Sequence, residues 1–218
     1  MHAGQPASLE EQFRALSSAS ISDVIGRKYA MQSYMRPLIH GVKISGRAVT
    51  VRTEPGDARK PTEAVELAKK GEVIVIDAAG FQESACWGGN DSIGSKTKGL
   101  SAVIVDGAVR DTLEIVDMAF PTWAKAVTPN TGGGKGGGAI NVQIICGGVT
   151  VNPGDLVVAD DDGVVVIPKD MAEGVLAKTI EREDMERGIK EKVLSGMTLR
   201  EALVAIHLVE GSETPESR

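Results

Sequence analysis

The chain has 218 residues, 42% of them hydrophobic and only 3% aromatic, with a formal net charge of −6. That length and composition suit one sizeable domain with an aliphatic core. The acidic balance, without a cluster of Lys and Arg, argues against general nucleic-acid binding. No run approaches the ~20 apolar residues of a membrane span. The first segment, MHAGQPASLEEQ, has no apolar stretch and is not expected to be a secretory signal. Cys86 and Cys146 lie far apart and make no disulfide framework, so a cytoplasmic setting is the expectation.

In chain order, Ser8 and Glu11 have capping-box spacing, and Leu9, Phe13 and Leu16 then share a helical face. A serine-rich stretch, Ser17 to Ser22, reads as a connection. A short helix is expected from Asp23 to Ile25, capped by Ser22. Val42 to Val51 alternates like a strand, with Gly46 as a bulge. Glu54 to Asp57 is a turn, and Thr62 to Lys70 a helix stopped by Gly71. Glu72 to Asp77 is a strand, and Ala78 to Gly80 a turn. After Gly88-Gly89 a helix is expected over Asn90 to Lys98. Ala102 to Val105 is a strand closed by Asp106-Gly107, followed by an amphipathic helix carrying Leu113, Ile115, Val116, Met118 and Ala119.

Thr122 to Val127 is a further strand. Thr131 to Gly138, TGGGKGGG, reads as a flexible loop. Val142 to Ile145 and Val149 to Val151 are short strands. Leu156 to Ala159 and Val164 to Ile167 flank Asp160-Asp161-Asp162-Gly163, a hairpin signal. Helices are expected from Lys169 to Lys192 and from Met197 to Val209, the second opened by a Thr198–Glu201 capping box. With no internal repeat and no linker, residues 1–218 read as a single α/β domain. It is expected to be a compact sandwich with a mixed sheet and C-terminal helices.

Chemistry concentrates between Trp87 and Glu114. Open α/β sheets bind ligands at the carboxyl ends of their strands, where Arg110 and Asp111 are expected. A guanidinium is a rigid fork of donors that fits a carboxylate or keto acid. A carboxylate such as Asp111 is a hard ligand for Mg²⁺, which keeps several waters. Together they would chelate an α-keto acid and stabilise enolate charge. The glycine pair at a helix start would let an anion approach the backbone amides. Counting outward, the pattern is G-x20-R-D-x2-E, from Gly89 to Glu114. The same residues also read as a cap: Asp111 as N-cap, Glu114 its first-turn partner, Arg110 a surface charge. Spacing leaves both readings open.

Other features point to structure. TGGGKGGG around Lys135 is not a phosphate-binding P-loop, because no Gly-Lys-Ser/Thr opens a helix. Asp160 to Asp162 read as a turn before they read as a cation site. His2, His40 and His207 match no zinc or triad spacing. Cys86 reads as a small buried residue, with no histidine near it in sequence. No glycine-rich turn with a following acidic residue near the N-terminus supports a nucleotide-type methyl donor.

Four segments taken together resemble the RraA-like family, the regulators of ribonuclease activity A, once labelled demethylmenaquinone methyltransferases. They are SISDVIGR (Ser20 to Arg27), MRPLIHGVKISGRAVTV (Met35 to Val51), the WGG…VIVDGAVRD core, and VTVNPGDLVVADDDGVVVIP (Val149 to Pro168). That family includes class II pyruvate aldolases that cleave 4-hydroxy-4-methyl-2-oxoglutarate, with oxaloacetate decarboxylation as a side activity. The resemblance implies Mg²⁺ or Mn²⁺ held at Asp111 with Glu114, and a small 2-keto acid bound by Arg110. It implies a substrate carboxylate on the amides of Gly88, Gly89, Asn90 and Asp91. It also implies a homotrimer or dimer of trimers with sites between subunits. A neighbour's Glu181, Glu183 or Glu186 would complete the metal shell. Characterised aldolases carry aspartate where this chain has Gly89, and Asp91 is the substitute expected to manage the proton alongside Arg110. The alternative implied by the same family is a non-catalytic protein that binds and inhibits a ribonuclease.

Overall fold

The computed structural model describes residues 7–206. His2, His207 and the end of the expected last helix, at Val209, lie outside the described residues.

Four parallel strands form the centre: β2 (Ile44–Thr53), β3 (Val73–Asp77), β5 (Ala102–Val109) and β6 (Thr122–Val127). They sit in the order β6-β5-β3-β2. Each crossover carries a helix: α3 (Arg59–Leu67), α4 (Gly89–Lys98) and α5 (Thr112–Asp117). Strands covered on both faces must be apolar throughout. Accordingly every residue of β5 is buried, as are the first four of β3. Short β1 (Arg36–Pro37) pairs antiparallel with β6, and β4 (Ala85–Trp87) pairs parallel with β5. β7 (Gly138–Ile140) pairs antiparallel with β2.

The sheet continues past β2 through the antiparallel hairpin β10 (Leu156–Ala159) and β11 (Val164–Ile167), and β8 (Ile144–Cys146) and β9 (Val149–Val151) form a separate pair. β10 divides the interior. Val157 and Ala159 join the cluster containing Trp123 and Ile104, whereas Leu156 and Val158 pack with Phe13, Ile21 and Val175. The second group comes from α1 (Leu9–Ala15), α2 (Ser18–Ile25) and α6 (Ala172–Leu194). A third cluster, with Val65, Trp87 and Ile115, lies under α3 to α5. The expected α/β sandwich with a mixed sheet and C-terminal helices, α6 and α7 (Leu199–Ala205), is what forms.

Several local expectations change. Asp106-Gly107 does not close the strand; β5 runs on to Val109, with a register shift against β6 between Val105 and Ala108. Gly107 serves close packing, since a Cβ there would fall 2.8 Å from that of Ala78. Gly46 is likewise no bulge: its pairing with Val157 is regular, and a Cβ would meet Val73 Cγ2 at 2.9 Å. α2 starts earlier than its apolar residues suggest and is capped by Ser17, whose hydroxyl accepts from Ser20 N at 3.0 Å. Ser18 is buried because Asp160 takes both its amide and its hydroxyl hydrogen. α3 begins at Arg59, whose amide donates to Asp57 (2.9 Å), and tolerates Pro61 because first-turn N–H groups have no intrahelical partner. It ends at Leu67, before Gly71.

The TGGGKGGG segment is pinned. Asp57, 3% exposed, accepts from Lys135 N (2.6 Å) and Gly136 N (3.0 Å), and Gly133 N donates to Gly56 O (2.6 Å). Burial pushes the Asp57 carboxyl up, but the amides of Arg59, Gly136 and Lys135 outweigh it and hold that carboxyl below the usual range.

Candidate active site

β5 delivers Arg110 and Asp111 to the carboxyl edge of the parallel strands, the edge where open α/β sheets place ligands. Arg110 N donates to Trp87 O at 3.1 Å, so the chain leaves the sheet beside the start of α4. Asp111 then adopts a left-handed backbone, φ +56° and ψ +37°. Such a conformation costs a non-glycine residue about 1 kcal/mol and is a frequent mark of functional positions. Asp111 occupies the N-cap position of α5 yet makes no side-chain cap hydrogen bond. Its carboxylate turns the other way. Oδ2 accepts from Gly89 N at 3.1 Å and lies 3.3 Å from Arg110 Nε. The capping reading therefore fails. The guanidinium and carboxylate converge, both about two-fifths exposed.

The glycine pair gains its meaning from this geometry. A Cβ on Gly88 would sit 2.7 Å from Asp111 Oδ2, and one on Gly89 would sit 2.6 Å from Glu114 Cδ. Gly89 thus leaves a space that the Glu114 carboxylate fills. Two carboxylates, one turn apart on α5, are packed against consecutive glycines. Trp87 holds the other side: its indole N–H donates to Ser92 Oγ (2.8 Å), and that hydroxyl donates to Gly88 O (2.9 Å). Both side chains are buried.

Asp91 stands in the first turn of α4 and accepts from the Thr62 hydroxyl at 2.6 Å. Burial raises its pKa, opposed by the Thr62 hydrogen bond, by backbone amides including that of Gly88, and by the Arg110 charge. Gly88, Gly89, Asn90, Asp91, Arg110 and Asp111 all line one recess of about 90 Å³, closed on the far side by Thr131 and Gly132. The structure thus brings together every residue singled out from the sequence in this stretch except Glu114, which reaches the cluster from behind Gly89. The amide of Gly89 is already engaged, by Asp111. A second, wider recess of about 460 Å³ shares Arg110 and Asp111 and extends along Leu113, Glu114, Val127 and Pro129.

Among the described residues, no group of three or more His, Cys, Asp or Glu comes together as a metal cage. Asp111 and Glu114 would therefore hold a cation through two carboxylates and water. This suits Mg²⁺, which is bound by one or two carboxylates and keeps several waters. Of the acids on α6, Glu183 accepts from Ser17 N (2.7 Å) and Glu186 lies 3.4 Å from Arg182, so both are engaged within the chain. Cys86 is buried, its thiol pushed up by burial to about 12, which suits packing rather than nucleophilic attack. Thr62, twenty-nine residues from Asp91, carried no sequence signal of its role. Helix α5 buries Ile115 but leaves Leu113 and Val116 exposed, against the expected amphipathic pattern.

A family model described as RraA-like: Aldolase/RraA matches residues 18–166. A protein of Halalkalibacterium halodurans, provisionally named a 4-hydroxy-4-methyl-2-oxoglutarate aldolase, is 38% identical over 84% of this chain and 90% of its own. The 4-hydroxy-4-methyl-2-oxoglutarate aldolase of Thermus thermophilus is 30% identical over 70% of this chain and 92% of its own. Among solved structures, an unusual member of the RNase ES inhibitor RraA protein family from Streptomyces coelicolor superposes with a TM-score of 0.77. It is 28% identical and covers 86% of this chain and 100% of that one.

Proposed function

The chain belongs to the RraA-like family, and from that premise we propose that it is a divalent-cation-dependent carbon–carbon lyase acting on a short 4-hydroxy-2-oxo acid. The observation that carries this is the Glu114 carboxylate lying where a side chain at position 89 would project, beside the Arg110–Asp111 pair. The family's aldolases are expected to have an aspartate at that position. Here an acid reaches the same space from α5.

Mg²⁺, when bound, would supply Lewis-acid stabilisation of negative charge on the keto acid. Asp111 and Glu114 are the residues that would hold it. Arg110, at the mouth of both recesses, binds the substrate carboxylate and offsets charge as the enolate forms. Cleavage breaks C3–C4: the hydroxyl at C4 loses its proton and becomes a carbonyl, and C3 then takes a proton to give pyruvate. Asp91, its pKa raised by burial, is suited to that proton traffic, since a carboxyl nearer neutrality exchanges protons more readily at working pH. Thr62 keeps it aimed. The long α6, whose buried residues all fall between Ala172 and Thr179, leaves surface for a second copy, in keeping with a homotrimer.

The test follows pyruvate in D₂O with Mg²⁺, reading methyl-proton exchange by NMR, together with pyruvate release from 4-hydroxy-2-oxo acids. Both are expected to exceed the Arg110→Ala background. The double variant Gly89→Asp/Glu114→Ala, which returns the acid to position 89, is expected to retain both. No exchange and no release above background would reject the lyase and leave the ribonuclease-binding alternative.

A further inference from the structure

Asp106 is the one polar side chain in β5. A strand covered on both faces has little room for a carboxylate, and burying a charge is costly unless it is paired and hydrogen-bonded. Asp106 is nevertheless buried, and it stands where the strand changes partner. Up to Asp106, β5 pairs with β3. From Ala108 onward it pairs with β4, whose Trp87 carbonyl accepts from the Arg110 amide. Against β6 the step is a bulge: Val105 faces Ala124 and Ala108 faces Ala126, so Asp106 and Gly107 together stand opposite Lys125. Bulges are rare between parallel strands; they bend the strand and re-aim side chains. The side chains beyond this one are those of Arg110 and Asp111.

The Asp106 carboxylate fastens this step. Oδ2 accepts from Gly147 N at 2.8 Å and from the Tyr34 hydroxyl at 3.5 Å. Oδ1 is sealed from solvent without a hydrogen-bond partner and faces the Lys125 ammonium at 3.8 Å. That ammonium also rests 4.4 Å from the centre of the Tyr34 ring. The Asp106 carbonyl accepts from Gly80 N at 3.0 Å and Ala78 N at 3.3 Å. One residue thus joins the bulge to the β8–β9 turn, to β6 and to the loop after β3. Every one of these contacts is made within one chain, so the arrangement does not depend on what lies over the Arg110–Asp111 pair. We propose that Asp106 is a positioning residue: its carboxylate holds the bulge that sets how far, and in which direction, Arg110 and Asp111 reach past the sheet edge. Its effect on activity rests on the lyase reading above; its effect on Asp111 rests on geometry alone.

The Gly89 amide, which donates to Asp111 Oδ2 at 3.1 Å, reports where Asp111 lies whatever the protein's activity. Its hydrogen exchange, followed by NMR, is compared with that of the Val103 and Ile104 amides at the centre of the sheet. Asp106→Leu keeps the shape of the side chain and removes its acceptors. Protection at Gly89 should then fall about tenfold, as for the loss of one hydrogen bond, while Val103 and Ile104 keep theirs. Pyruvate methyl exchange at saturating Mg²⁺ and pyruvate should fall about 10²-fold per folded molecule, the scale of an ångström's misplacement. Asp106→Asn, which retains an oxygen for Gly147 N, should restore both. Lys125→Met, across the bulge, should lower both by about threefold, as for one partly exposed ion pair, and it carries the test if Asp106→Leu does not fold. A lower thermal midpoint with native protection at Gly89 and native turnover would make Asp106 a stabilising residue only and overturn the proposal. If the native protein exchanges no pyruvate methyl protons, the lyase reading falls, and the Gly89 amide still tests the positioning by itself.

Discussion

Two glycine-rich stretches meet at the small recess, and they use glycine for opposite purposes. At Gly88-Gly89 the space a Cβ would take holds the carboxylates of Asp111 and Glu114. In the Thr131–Gly138 loop the same space at Gly132 and Gly138 holds backbone. A Cβ on Gly132 would sit 2.6 Å from Gly56 O, and one on Gly138 would sit 2.9 Å from the Arg52 carbonyl carbon at a φ of +118°. Asp57, buried beneath the loop, spends its oxygens on backbone amides. Asp111, at the surface, has a single amide and an arginine beside it. A glycine that yields room to a side chain leaves something that can be exchanged or tuned. A glycine that yields room to backbone is a packing requirement. What fills each missing Cβ, rather than the number of glycines, therefore distinguishes the two stretches.

The comparison is sharpened most by Arg110, which belongs to the tunable side. Arg110→Ala should lower pyruvate-forming activity by about 10²–10³-fold, the usual loss for one donor to a developing anion. The thermal midpoint should hardly move, because the side chain is partly exposed. Arg110→Lys should recover little, since a point charge cannot replace the fork. Next comes the packing side. Gly132→Ala should destabilise the fold by about 1–3 kcal/mol through overpacking, read by thermal unfolding, whereas Gly134→Ala, with open space around it, should be near neutral. Equal effects at the two positions would erase the distinction between the stretches.

A smaller effect is expected at Gly89. Its added methyl meets a side chain that can swing away, so Gly89→Ala should cost less than about 1 kcal/mol of stability. Displacing Glu114 should nevertheless weaken Mg²⁺ binding about tenfold, on the scale of losses from disturbing a metal site's surroundings. Calorimetric titration reads it. The smallest effect concerns Cys86, just before the pair. Its folded thiol titrates near 12 against an ordinary 9.0 because burial disfavours the thiolate. The folded state therefore holds a proton that the unfolded chain releases. The resulting stability is intact below about pH 9 and is lost as pH rises toward 12, roughly 1 kcal/mol by pH 10. Denaturant unfolding from pH 8 to 10 should show that decline, and Cys86→Ala should make it shallower without abolishing it, because burial also raises the thiol of Cys146.

Elements defined by local rules were legible in the chain. The boundaries of β6, β9, β10 and β11 and both capping boxes, at Ser8 and Thr198, follow from alternation, turn residues and short-range hydrogen bonds. Residues 88–91 and 110–111, neighbours in the sequence reading, also line one recess. What misled were residues whose environment is set from far away. The serines of α2 look like a linker until Asp160, over 140 residues on, takes both hydrogens of Ser18. Asp106-Gly107 looks like a turn until Ala78 and Phe81 press against Gly107.

By itself the sequence determined where the buried parallel strands lie, because a strand covered on both faces must be apolar along its length. It also determined that an arginine and an aspartate follow the longest fully buried one. Only the tertiary structure decided that Asp111 turns from its own helix toward Gly89, that Glu114 fills the place of a missing side chain, and that Leu113 and Val127 stay uncovered beside them. Side-chain direction at a strand's end depends on what the neighbouring crossovers leave open, and that is fixed by packing between segments distant in the chain.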